Sequence, residues 1–214
     1  MLSKKDLLTQ DTKPLLKDIS LKLYKDFCKD ILFKKRFHYY FTDGSDIIVE
    51  CKEWGVYHML AIHHIDYYID KTEFFNKIEE GLCLNDFKAN NAIEDRYKKY
   101  KERIALFSCL YQVLRYGRVF YIPDRKVPNT LRVKCDYIMH RRIDTKGMNV
   151  GIKYYNGMFV PITNLISKPI NLNKYIDTTA PKIVCRLVIS DIDSNEIEED
   201  IIYTDDFILH KTIE

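Results

Sequence analysis

The chain has 214 residues, 46% of them hydrophobic, 13% aromatic and 30% charged, with a formal net charge of only +3. That length and composition support one packed core and exclude a disordered or low-complexity protein, and no run of about 18 apolar residues is present to form a membrane span. The six cysteines (Cys28, Cys51, Cys83, Cys109, Cys135 and Cys185) are scattered, with no Cys-x-x-Cys pair and no Cys/His cluster; this argues against a disulfide framework or a zinc site and for reduced thiols in a cytoplasmic protein. The opening Met1-Leu2-Ser3-Lys4-Lys5-Asp6 leads into no apolar stretch of signal-peptide type.

In chain order, Leu16, Ile19, Leu23, Phe27 and Ile31 recur at helical spacing and predict an amphipathic helix over 15–33, with Pro14 near its first turn. His38-Tyr39-Tyr40-Phe41 and Ile47-Ile48-Val49-Glu50, joined through Asp43-Gly44, predict a β-hairpin. Residues 54–66 are apolar almost all round and predict one buried helix. A short helix follows, with Thr72 as its cap and Gly81 as its stop. The longest helix is predicted over 92–116, ended by Gly117.

Beyond Gly117 the period changes. RVFYIP, TLRVKCDYIMH, MNVGIKYY, FVPITNLIS, KIVCRLVIS and EDIIYTDDFIL all read as strands. Turns are predicted at Pro123-Asp124, Pro128-Asn129, Lys146-Gly147 and Asn156-Gly157. Helices first and strands after predict an α+β fold, with N-terminal helices packed on a C-terminal antiparallel β-sheet. Residues 1–190 are expected to form the main unit, and 191–214 an acidic β extension of the same domain.

Charge is unevenly spread. Thirteen Lys and Arg face three Asp and Glu between Arg96 and Arg142, whereas Asp191 to Asp206 holds eight Asp and Glu and no Lys or Arg. Either the basic segment faces a polyanion and the acidic one forms a separate edge, or the two neutralise each other.

The chain has no GxGxxG, P-loop, HExxH or GxSxG motif, so no nucleotide cofactor and no resident metal is expected. Three histidines, His58, His63 and His64, crowd the 54–66 segment. On one continuous helix His58 and His63 project about 140° apart and do not form a metal pair. They are either core histidines bonded to a carbonyl or carboxylate, or acid and base groups working near neutral pH. In LRVKCDYIMH, alternation puts Leu131, Val133, Cys135 and Tyr137 on one face and Arg132, Lys134 and Asp136 on the other. That second face offers donors to phosphate. Tyr121, Tyr137, Tyr154 and Tyr155 offer rings for bases. Arg132, Arg141, Arg142 and Tyr137 are therefore the candidate nucleic-acid contacts.

The segment Trp54-Gly55-Val56-Tyr57-His58-Met59-Leu60-Ala61-Ile62-His63-His64-Ile65 resembles one family's pattern, in which an aromatic, a histidine and a leucine precede a Gly-Leu-His step. The His38-Tyr39-Tyr40-Phe41 strand before it, Arg103-Ile104-Ala105-Leu106-Phe107 after it and Asp136-Tyr137-Ile138 beyond extend the likeness over roughly residues 20–190. The family is the fourth group of the phage-associated barnase–EndoU–colicin–RelE-like nucleases. Ala61 departs from it by standing where the pattern has glycine.

The resemblance implies a metal-independent ribonuclease-like protein of a phage or mobile element, acting in a bacterial cytoplasm on RNA, with a host protein or antitoxin as a further partner. It puts His58 and His63 in acid/base roles and Arg103 on the phosphate. Lys134 and Thr163 join them from strand geometry alone. The alternative is an inactive nuclease-like fold that inhibits or binds a host or defence component.

Overall fold

The computed structural model describes residues 1–122, 135–167 and 181–203. Short N-terminal helices and a curled, mostly antiparallel nine-stranded sheet form an α+β fold.

The first amphipathic segment is more broken than its periodicity predicts. A one-turn helix α1 (Asp6–Thr9) and a 3₁₀ turn at Leu16–Asp18 precede α2 (Leu21–Asp30). The Ser20 hydroxyl accepts the Leu23 N–H at 3.0 Å and starts α2; a good N-cap six residues past Pro14 moves the helix start there. The hairpin is present as β1 (Lys35–Phe41) and β2 (Asp46–Glu50), around Gly44 at φ 82°.

The single helix predicted over 54–66 is two, α3 (Glu53–Met59) and α4 (Ile62–Ile65), broken where Ala61 takes a left-handed φ of 60°. Helix α5 (Phe74–Glu79) starts after Glu73 with no side-chain cap, the Thr72 hydroxyl donating back to the Asp70 carboxylate at 2.6 Å; Gly81, at φ 113°, does stop it. Helix α6 (Leu84–Ala89) was not foreseen: its six residues are too few to show a period, and its start rests on the Cys83 N–H donating to the Asp86 carboxylate at 2.7 Å.

The helix predicted over 92–116 divides into α7 (Glu94–Phe107) and α8 (Leu110–Tyr116). At the joint the Ser108 hydroxyl donates to the Ala105 carbonyl at 2.8 Å, the local competition that makes serine a poor interior residue.

The remaining strands are β3 (Arg118–Tyr121), β4 (Tyr137–Ile143), β5 (Lys146–Tyr155), β6 (Met158–Ser167), β7 (Pro181–Lys182), β8 (Val184–Asp191) and β9 (Ile197–Ile202). The β4–β5 turn sits at Asp144-Thr145, with Asp144 at φ 51°, two residues before the expected Lys146-Gly147. Asn156 and Gly157, at φ 47° and 90°, form the expected tight β5–β6 turn. The turns at Pro123-Asp124 and Pro128-Asn129 lie outside the described residues.

The strand order is β7-β3-β4-β5-β6-β2-β1-β8-β9. One pair, β2 with β6, runs parallel at Val49 and Phe159, so the sheet is mixed and not wholly antiparallel. Ile183 alone separates β7, which pairs with β3, from β8, which pairs with β1. One short stretch of chain thus touches two flanks of the curled sheet. Across the curl, the Tyr39 hydroxyl on β1 donates to the Leu114 carbonyl of α8 at 2.5 Å and lies 3.7 Å from the Met139 sulfur of β4.

The main core joins α2, α5, α7 and α8 to the sheet through Tyr24, Phe27, Phe37, Phe74, Phe107 and Leu114. A smaller cluster of Phe120, Ile122, Cys135, Ile138, Val160 and Ile162 packs with Trp54. Helix α3 lies directly on β6: a Cβ on Gly55 would stand 2.3 Å from the Pro161 carbonyl oxygen. All six cysteines are free thiols, four of them buried.

Candidate active site

The break at Ala61 builds the site. A straight helix would hold His58 and His63 about 140° apart. The left-handed turn between α3 and α4 redirects the second helix, so that the two Nδ1 atoms lie 3.3 Å apart. His63 is also packed against His64, with ring centroids 3.9 Å apart. His64 stacks on Tyr100 of α7 at 4.9 Å and 13°. The guanidinium of Arg103 and the ammonium of Lys99 lie 5.4 and 5.5 Å from the Tyr100 ring centre. On the other side Trp54 meets His58 edge-on at 6.5 Å, and Tyr155 meets Trp54 at 5.6 Å. A continuous row of rings, Tyr155-Trp54-His58-His63-His64-Tyr100, therefore runs from the end of β5 to α7. Tyr57 supports it from behind, packing on both His58 and His63 and donating its hydroxyl to the Ile69 carbonyl at 2.8 Å.

Both paired histidines are half-buried, and burial disfavours their charged forms. His63 is lowered to about 4, first by burial and then by the neighbouring His64, His58 and Arg103. His58 is lowered by burial and by the Lys71 charge. At neutral pH both rings are uncharged.

Two neutral imidazoles facing each other through Nδ1 have only one way to bond: one carries its proton on Nδ1 and donates, and the other accepts. The donor ring then has a bare Nε2, and the acceptor ring an Nε2–H. Among the described residues neither Nε2 makes a hydrogen bond, and neither is a buried atom left without a partner. The pair thus presents one base and one acid side by side. Among the described residues no group of three or more His, Cys, Asp or Glu converges as metal ligands, so the three histidines are not arranged as a chelate.

Of the residues singled out in the sequence, the structure brings His58, His63 and Arg103 together. Thr163 is buried at 4% exposure on β6, opposite Gly151, where its methyl fills the space a Gly151 side chain would take. Lys134 and Arg132 lie outside the described residues.

Arg141 and Arg142 stand on β4. Arg141 lies over Tyr116 at 5.5 Å with a buried Nε that has no partner, and the Arg142 Nε donates to the Asp144 carbonyl at 3.1 Å. Tyr137 packs with Phe41, Tyr121 and Phe159. The alternation predicted through Cys135 and Tyr137 fails, because β4 begins only at Tyr137. Cys135 joins the smaller cluster while Tyr137 packs on the main core. Asp136 accepts the Tyr154 N–H at 2.6 Å and so acts in the sheet.

Sequence reasoning missed Trp54, Tyr57 and Tyr100 as site residues. The first had a signal, since Trp54 is the only tryptophan and stands one helical turn before His58. The acidic segment is largely neutralised where it is described: Glu198 pairs with Lys35, Glu199 with Arg115 at 2.5 Å and Asp200 with Arg186 at 2.6 Å. Among the described residues the Arg115 ion pair, beside a hydrogen bond from the Tyr111 hydroxyl to Glu199 at 3.1 Å, joins the basic segment to the acidic one.

Compared with protein-family models, with curated proteins and with solved structures, the chain finds no match in any of the three. Among the described residues, no helix is long and apolar enough to cross a membrane.

Proposed function

We propose that the chain is a metal-independent ribonuclease-like protein whose acid and base are the His58–His63 pair. The observation that carries this reading is the 3.3 Å Nδ1 contact between two neutral imidazoles. The bare Nε2 takes the proton of an RNA 2′-hydroxyl as its oxygen attacks the adjacent phosphorus. The O2′–P bond forms, the P–O5′ bond breaks, and the Nε2–H of the second ring protonates the departing 5′-oxygen. The proton between the two Nδ1 atoms then crosses from one ring to the other. Both rings end neutral with their roles exchanged, which suits hydrolysis of the 2′,3′-cyclic phosphate, where the former acid must activate water. Arg103 is the cation for the transition-state phosphate.

The resemblance to the phage-associated barnase–EndoU–colicin–RelE-like nucleases supports the same reading. It implies a barnase- or RelE-like arrangement of helices and sheet, a bacterial cytoplasmic setting and, for a toxin, a protein partner that restrains it. An inhibitory nucleic-acid mimic is less well supported, since Glu198, Glu199 and Asp200 are already paired.

The test is incubation of the protein with a mixed RNA pool that includes tRNA, in EDTA, beside a His58→Ala/His63→Ala double variant checked for folding by circular dichroism. The parent should leave 2′,3′-cyclic phosphate ends, and the double variant should lose about 10²–10⁴-fold in rate. Equal cleavage by both would remove the pair from the mechanism; cleavage by neither would turn the reading toward a binding protein.

A further inference from the structure

We propose that the face of α7 bearing Arg96, Lys99, Tyr100 and Arg103, together with Tyr67 and Tyr68, is a track for unpaired, single-stranded RNA leading to the histidine pair. The inference takes RNA as substrate from the reading above and adds its strandedness and its path.

Arg96, Tyr100 and Arg103 stand at i, i+4 and i+7 and so share one helix face over about 10 Å. Tyr97, buried and packed on Phe87, turns that face outward. Beyond α4 the chain delivers Tyr67 and Tyr68, exposed at 60% and 80%, with ring centroids 4.2 Å apart and hydroxyls 3.0 Å apart. Arg96 lies 5.0 Å over the Tyr67 ring, just as Arg103 and Lys99 flank Tyr100. A ring beside a cation therefore occurs twice along α7, and the second occurrence touches His64 and through it His63.

Two exposed tyrosines in contact offer ring faces to a ligand, and nucleobases offer faces of the same kind to stack on them. Charge agrees with this occupant. Lys98 is paired with Glu94 and Asp95, whereas Arg96 and Lys99 have no carboxylate partner among the described residues. Asp66 and Asp70 lie beside Tyr68, where they accept the backbone N–H groups of Tyr68 and Thr72. Phosphates are repelled there and drawn to α7, so the bases cover the tyrosines while the backbone follows the cations. A duplex hides its base faces and cannot use such a track.

The probe is a fluorescein-labelled 2′-O-methyl RNA of about ten nucleotides, which has no 2′-hydroxyl nucleophile and reports binding alone. It is measured by anisotropy as a single strand and annealed to its complement. The single strand should bind at least about tenfold more tightly than the duplex, and Tyr67→Ala/Tyr68→Ala should weaken single-strand binding by about tenfold or more. Arg96→Ala/Lys99→Ala should lower the slope of log affinity against log salt by about 1.4. Equal or tighter binding of the duplex, no binding of either form, or parental affinity in the tyrosine variant would each overturn the track. Normal RNA cleavage with an unaffected tyrosine variant refutes the track and spares the ribonuclease reading. Single-strand binding that depends on the tyrosines, in a parent that cleaves nothing, does the reverse.

Discussion

At the residue scale, Ala61 decides the site. A left-handed alanine costs about 1–2 kcal/mol relative to a right-handed one, and glycine is relieved of that cost at the expense of its own chain entropy. Ala61→Gly should therefore change stability by less than about 1 kcal/mol and keep the His58–His63 contact. Ala61→Val puts a β-branched side chain in the same backbone state at a fully buried position and should cost more than about 2 kcal/mol. Urea denaturation midpoints check both, and a valine variant as stable as the parent would mean that the break lies elsewhere. The histidines themselves were legible in the sequence as polar residues in an apolar segment. Their contact was not, because helical periodicity assumes right-handed residues throughout and nothing local to Ala61 announces the exception.

The neutral pair also fixes a pH signature. Burial lowers both rings, His63 to about 4 and His58 in the same direction, so the base is uncharged at neutral pH and the acid is a neutral N–H that does not ionise there. The expected kcat/KM is level from about pH 7 to 8 and falls only on the acid side of the ordinary imidazole value of 6.5. A bell-shaped profile with both limbs near 6.5 would show instead an imidazole working with an imidazolium.

At the scale of elements, α3 and β6 form one unit. The Gly55 backbone rests on the Pro161 carbonyl, and Pro161 sits beside the register shift at Gly151/Ile152. Gly55→Ala should push α3 off the strand, cost about 1–3 kcal/mol and carry Trp54 and His58 with it. RNA cleavage should fall more than the loss of folded protein explains, and a variant cleaving at the parental rate per folded molecule would show that α3 does not position His58. Strand locations were largely legible because alternation and the Asp-Gly and Asn-Gly turns survive in the fold. Helix boundaries were not: Ser20, Thr72 and Ser108 each make a hydrogen bond to a partner two or three residues away, and hydrophobic periodicity does not register such bonds. The parallel β2–β6 pair, from strands more than a hundred residues apart, has no local signature at all.

For the whole molecule, three partly or fully buried histidines set its response to acid. His58, His63 and His140 are all lowered from the ordinary 6.5, chiefly by burial. Unfolding frees them to take protons, so the unfolded chain binds more protons than the folded one below about pH 6.5. Their contribution to stability is intact above about pH 6.5 and is lost as pH falls below it, for His63 down to about 4. Asp26 and Glu50 are lowered by their lysine and arginine partners; their contribution is present above the ordinary carboxylate values and is lost only below them. Melting temperature should therefore fall between pH 6.5 and 4.5, and His63→Gln should flatten that fall. A parent melting curve unchanged over that interval would contradict the burial of these rings.

The double attachment of the 181–191 stretch bears on how the protein is made. Lys35 of β1 pairs with Asp191 of β8, so the N-terminal hairpin leaves the ribosome long before its neighbour. At about 5–20 residues per second it waits roughly 8–30 s with one edge open. During that interval β1, reading KRFHYYF, is a naked aromatic strand guarded only by Lys35, Arg36 and His38, the kind of edge that recruits other chains. Synthesis of β8, more than any local folding event, sets the moment at which the curled sheet can close.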